Sequence, residues 1–266
     1  MGRVVCSEER REGRRLVAES IREMNPKPFR IIPCGEWRAA PPKSAIQIVS
    51  AKPVRAIFHH TAGHHAELDG KFATVNYAES IAYAKSIQAF HLKGNGWVDS
   101  GHNFLVTRGG YILEGRHRSI AQVQRGQMVV SAHCPGQNEQ PGVEHEHIDP
   151  EPMTPIQYEA AVWLYAWICR SCKIDPKQIK GHRDYFATAC PGSLYSKLPQ
   201  LRKDVAKALA PPSSGGKAFS IDITDKDGGK SFEDVSRASA VKRFAQFIPG
   251  GKFKEITFRR GPRPDA

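Results

Sequence analysis

The chain is expected to be an α/β protein: a central mixed β-sheet flanked by helices, followed by a small C-terminal appendage. Three observations carry this. Short apolar runs of strand character alternate with longer segments of helical spacing, which implies a sheet covered on both faces. The run at residues 54–59 is apolar almost throughout, as in a strand buried on both sides. A Pro/Ser/Gly stretch at 211–216 has linker composition and sets off the last fifty residues.

Residues 1–30 form a charged N-terminal arm. Ser7 can cap a helix running towards Met24, and Pro26 and Pro28 end it. The main domain is expected over 31–210. It enters through Ile32-Pro33-Cys34-Gly35-Glu36-Trp37, then reaches the strand at 54–59. Residues 75–92 carry Ile81, Ala84, Ile87 and His91 near helical spacing, with Gly94 and Gly96 as the stop. Residues 104–106 and 111–113 flank Gly109-Gly110, a hairpin signal. Another strand is expected at 143–147. Thr154 followed by Pro155 is a helix start, and that helix continues to about Cys172. Ile179 leads into His182, and a last helix spans 198–209. A linker at 211–217 then precedes 218–266. There the segments 219–223, 232–247 and 253–258 read as strand, helix and strand.

With 266 residues, 40% hydrophobic and 25% charged, the composition is that of an ordinary globular protein. No stretch approaches the ~18 apolar residues that a membrane-spanning helix needs. The N-terminus turns charged where a secretory signal would have its apolar core, so synthesis in the cytoplasm without such a signal is expected. The net charge of +12 favours polyanionic partners: nucleic acid, an anionic membrane or acidic cell-wall polymers. Nucleic acid is disfavoured, because no aromatic-basic interleaving or known motif accompanies the charge. Six cysteines are too few and too scattered for a disulfide scaffold. Cys169 and Cys172 lack a second pair at zinc-ribbon spacing and read as buried helix residues. Oligomeric state is not readable.

Three groups far apart in the chain could close one zinc site. They are the strand end Ile57-Phe58-His59-His60-Thr61, His182 in Gly181-His182-Arg183-Asp184, and Cys190 in Ala189-Cys190-Pro191-Gly192. A catalytic zinc takes three protein ligands and keeps one open position, and imidazole and thiolate both suit it. His59 and His60 are adjacent on a strand and point to opposite faces, so only one joins such a site easily.

These words, in this order with Gly101-His102-Asn103-Phe104-Leu105-Val106 and Glu114-Gly115-Arg116 between them, resemble the type 2 N-acetylmuramoyl-L-alanine amidases. That family includes bacteriophage lysozyme amidases and peptidoglycan recognition proteins. The resemblance runs from about Ile32 to Val205. It implies Zn2+ held by His59, His182 and Cys190, with His60 a packed or hydrogen-bonded core histidine. It also implies hydrolysis of the amide between the lactyl group of muramic acid and L-alanine in peptidoglycan. Glu144 matches the family's general-acid/base glutamate. Glu146, two residues on, shares the strand face and is a second candidate. His102 stands where phage enzymes typically carry tyrosine, and Thr188 where some relatives carry lysine; either side chain could donate to the oxyanion. His133 matches a residue lining the substrate groove. Arg116 either meets a substrate carboxylate or anchors its loop. A phage-type endolysin acting on the wall after release is the leading expectation. The alternatives are a recognition module with weak catalysis and a cytoplasmic enzyme recycling muropeptides. The appendage is a candidate wall-binding module.

Overall fold

The computed structural model describes residues 29–63 and 76–210, together with three later strands at 219–225, 228–232 and 253–260. The expected N-terminal helix lies outside these residues. The chain divides into two compact units, Met1–Leu209 and Ala210–Ala266.

The first unit is built on a six-stranded mixed sheet. Its strands are β1 (Ile31–Ile32), β3 (Ala56–His60), β4 (Phe104–Val106), β5 (Ile112–Glu114), β7 (Gly142–His145) and β8 (Ile179–Gly181), in the order β1-β5-β4-β7-β3-β8. Only the β4–β5 hairpin is antiparallel; the β4–β7, β7–β3 and β3–β8 pairs are parallel. Strands β2 (Ile48–Val49) and β6 (Met128–Val129) form a separate antiparallel pair.

Alternation along the strands feeds two cores. Phe58, Phe104, Val106 and Val143 pack with helices α2 (Ser119–Gln124), α3 (Pro155–Cys172) and α4 (Leu198–Leu209) on one face. Leu105 and Leu113 pack with Tyr83 and Ala84 of helix α1 (Tyr77–Ala89) and with Trp37 on the other. Helix α3 starts as its sequence requires: the Thr154 hydroxyl accepts from the Gln157 N–H and Pro155 fills the first turn. Cys169 and Cys172 are buried in it as free thiols. Helix α1 is held by a capping box between Asn76 and Glu79. Its last turn widens into a π-helical turn, Phe90–Gly94, which presents His91 and ends at the expected glycine.

The second unit contains β9 (Phe219–Asp225), β10 (Gly228–Phe232) and β11 (Phe253–Arg260), an antiparallel sheet of order β10-β9-β11. Strand β10 was not anticipated from the sequence. Phe232, expected to open a helix, ends that strand, and the rest of the expected helix lies outside the described residues.

Candidate metal centre

Ligand sites in sheets of this kind lie at the carboxyl ends of parallel strands, where the chain turns away and leaves a crevice. Here β3, β7 and β8 end side by side. His59 sits opposite Glu144 in the β3–β7 register, so both side chains leave the sheet on the α1 face. His182 follows directly on β8.

The structure brings the three expected ligands together. One donor atom each from His59, His182 and Cys190 lies within 4.8 Å of the other two. Nδ1 of His59 is 3.7 Å from Sγ of Cys190. A tetrahedral zinc with bonds of about 2.0 Å to nitrogen and 2.3 Å to sulfur needs roughly 3.5 Å there. Nε2 of His182 is buried and has no hydrogen-bond partner. An unpaired buried polar atom costs about 1–3 kcal/mol, and a cation at this point would remove that cost. Burial pushes the Cys190 thiol up to about 12, so at neutral pH only a bound cation would hold it as thiolate. The His60 N–H already points at Sγ from 3.4 Å. The residues present therefore fit a zinc ion.

The loop from His182 to Cys190 is stapled by its own motif. The Asp184 carboxylate accepts from the Gly181 N–H at 2.9 Å and from the Tyr195 hydroxyl at 2.5 Å. Arg183 donates through its backbone to the Cys190 carbonyl and through its guanidinium to the carbonyls of Ala189 and Gly192. Thr188 Oγ1 accepts from the Cys190 N–H at 3.2 Å, so its first task is to shape the ligand's own turn.

Glu144 borders a groove of about 270 Å³ between α1 and the end of β3, lined also by Tyr83, Ile87, Phe90 and His91. Its Oε2 lies 3.1 Å from Nδ1 of His102, an ion-pair distance whose angles fall outside a hydrogen bond. Burial alone would raise the Glu144 carboxyl. The charge of His102 at this distance outweighs it, helped by His91 and His133, and the net is a fall to about 2. His102 itself is 2% exposed and packs on Gly115, where a Cβ would come within 2.4 Å of the ring. It therefore lies against Glu144, not as a free donor facing the groove.

Three further expectations need correction. Glu146 does not line the groove with Glu144: it follows the end of β7 at His145, and its fully buried carboxylate accepts from the Arg108 N–H. His133 does not line the groove. It lies behind His59, 8% exposed, because the close approach of Gly142 leaves room for its ring there; a Cβ on Gly142 would clash at 2.3 Å. His60 is not a satisfied core histidine, since its Nδ1 is buried without a partner. Arg116 takes the anchoring role, donating to the carbonyls of Ser100 and Val130.

His91 was missed as a site residue, because in sequence it reads only as one more position on a helix face. In the structure its Nδ1 accepts from the Gly101 N–H at 3.1 Å, which puts its proton on Nε2. Burial lowers it to about 4, so it is neutral.

The sequence profile of the family described as N-acetylmuramoyl-L-alanine amidase matches residues 50–193, just over half of the chain. The chain belongs to this amidase family. Its relatives include peptidoglycan-recognition protein SC2 of Drosophila simulans, 29% identical over 166 residues, which are 61% of this chain and 80% of that one. An N-acetylmuramoyl-L-alanine amidase of Sus scrofa is 35% identical over 86 residues, 32% of this chain and 13% of that one. Among solved structures, wild-type Drosophila PGRP-LB superposes with a TM-score of 0.53 at 25% identity, covering 64% of this chain and 92% of that one. The amidase LysC from Clostridium intestinale gives 0.51 at 20% identity, covering 66% and 97%, and shows the shared fold. Membership of the family supports amide hydrolysis or peptidoglycan binding. No helix among the described residues is long and apolar enough to cross a membrane.

Proposed function

We propose that this protein is a zinc-dependent N-acetylmuramoyl-L-alanine amidase, cleaving the amide between the lactyl group of muramic acid and L-alanine in peptidoglycan. The observation that carries this reading is the donor set itself: His59, His182 and Cys190 converge, and the buried Nε2 of His182 has no other partner. A zinc ion bound there would supply Lewis acidity at the scissile carbonyl and acidify water. Glu144 is ionised at neutral pH and borders the groove, so it can take a proton from water and return it to the leaving amine. His91, with its proton on Nε2, can donate to substrate oxygen from the opposite wall. The Thr188 hydroxyl still has its own proton to give to an oxyanion. Digestion of defined peptidoglycan followed by mass spectrometry tests the reading: free stem peptides beginning with L-alanine are expected, and intact glycopeptides would refute it.

A second reading, peptidoglycan binding with weak turnover, has one specific support. A carboxylate held near 2 by His102 is a poor base at neutral pH, since a general base works best when its pKa lies near the working pH. Retention of muropeptide without product would favour it.

We further propose an endolysin-type role, acting on the cell wall. The net charge of +12 suits acidic wall polymers, and the C-terminal unit ends on Lys252, Lys254, Arg259, Arg260 and Arg263. That unit is then the wall-binding part. A recycling enzyme would instead act on soluble muropeptides alone.

A further inference from the structure

Among the described residues a second group of metal-ligating side chains stands on the far face of β3. His60 and Phe58 leave that strand on the side opposite His59, towards α3. His147, just beyond β7, comes to the same side, and the two imidazole centroids are 5.7 Å apart. Asp149 follows two residues later. One donor atom each from His60, His147 and Asp149 lies within 4.8 Å of the others, and Nδ1 of His147 is 3.7 Å from Oδ1 of Asp149.

Two details set this group apart from a chance meeting of polar side chains. Nδ1 of His60 and Nδ1 of His147 are both buried and both lack a hydrogen-bond partner. His147 is fully buried, and its Nε2 lies 2.6 Å from the Glu151 carbonyl. A carbonyl only accepts, so Nε2 carries the proton and Nδ1 presents a lone pair towards Asp149. The Asp149 carboxylate is held in place by the Ser193 N–H at 2.8 Å and is about half exposed, so it closes the group on its solvent side.

We propose that His60, His147 and Asp149 form a second metal site, for a divalent first-row transition ion such as zinc. Two imidazoles and a carboxylate are a donor set for such ions, and the exposed side of Asp149 leaves positions for water. Bonds of about 2.0–2.2 Å bring ligand atoms to roughly 3.3–3.5 Å from one another, which rotation of the Asp149 side chain and small shifts of the rings supply. The ion would tie the end of β3 to the turn after β7. Through Ser193 it would also brace the segment that carries Cys190. The site contains no sulfur and does not depend on the first centre being occupied.

The test is titration of the metal-free, full-length chain with Co2+, followed by absorption. Two equivalents are expected. One gives a thiolate-to-cobalt charge-transfer band from Cys190, and the other gives d–d absorption alone. Cys190→Ser should abolish the charge-transfer band and keep the second equivalent. Asp149→Asn, on a half-exposed side chain, and His60→Gln should each lose the second equivalent and keep the band, which also reports that the fold survives. Saturation of the wild type at a single equivalent that carries the charge-transfer band overturns the proposal, as does a second equivalent that persists in both of those variants. Loss of the charge-transfer band from the wild type alone would count against the first centre and leave this one standing.

Discussion

Nδ1 of His133 accepts a hydrogen bond from Nε2 of His59 at 2.9 Å. The direction follows from the next link: Nε2 of His133 lies 2.9 Å from the Gln140 carbonyl and must donate to it. Burial keeps His133 neutral, at about 4, and holds His59 well below the usual histidine range. A neutral His133 thus has only Nδ1 to accept with, and His59 carries its proton on Nε2. The lone pair of His59 is left on Nδ1, the atom that faces Cys190. A backbone carbonyl two residues from β7 selects the tautomer of a proposed metal ligand.

His133→Phe keeps an aromatic ring, slightly larger, and removes the acceptor. Zinc affinity should fall by about 10–100-fold, the usual effect of losing a partner that orients a ligand. The metal-free protein should lose about 1–3 kcal/mol, because the Gln140 carbonyl and the His59 N–H lose their partner. Competition with a chromophoric chelator measures the first and urea unfolding the second. Unchanged affinity would mean that packing alone orients His59.

Cys190→Ser should leave the fold intact and greatly reduce bound zinc by elemental analysis. The Thr188 and Arg183 bonds to the backbone at this turn do not involve the sulfur, so the loop should keep its path. Full zinc occupancy in this variant would remove Cys190 from the ligand set.

Glu144→Gln should retain zinc and lose turnover by ~10²–10⁴-fold, the range for a general acid/base group. Near-normal turnover would pass the proton transfer to solvent or to His91, since Glu146 is buried against the Arg108 N–H.

The Glu144 carboxyl also predicts an acid-stability window for the metal-free protein. Its folded pKa is depressed from 4.5 to about 2, so its contribution is fully present above 4.5 and is lost as the pH falls through about 2. Chemical unfolding between these limits should show a steeper loss in the wild type than in Glu144→Gln. Parallel curves would mean that the pairing with His102 contributes nothing to folding.

Truncation after Pro212 removes eleven basic and seven acidic residues. The shortened protein should still cleave small soluble muropeptides and should bind intact walls less well. Raising the salt should narrow the gap, because exposed charges are screened over ~10 Å at about 0.1 M. A wall pull-down beside a muropeptide assay, at low and high salt, reads both. Loss of muropeptide cleavage together with a lower Tm would make the segment part of the catalytic fold.

Much of this protein is local and was therefore legible in the sequence. Thr154-Pro155 marks where α3 starts because a hydroxyl cap and a fixed φ act within one turn. The apolar run before His59 marks a central strand because burial on both faces leaves no polar alternation. The hairpin at 104–114 follows from its paired glycines, and family membership follows from the order of short words along the chain. What depends on contacts between distant segments was not legible. The sequence could not show that the Glu146 carboxylate is buried against the Arg108 N–H, since that contact depends on how β7 lies beside β4. It could not place His133 behind His59, because that depends on how closely the Gly142 backbone approaches. Nor could it distinguish His60, with an unpaired buried nitrogen, from an ordinary packed histidine. Residue type determines which donors and acids the chain carries. Which nitrogen bears the proton, which carboxylate meets a histidine and which donors converge are decided by packing, because a hydrogen bond or a metal bond is made or lost over a few tenths of an ångström.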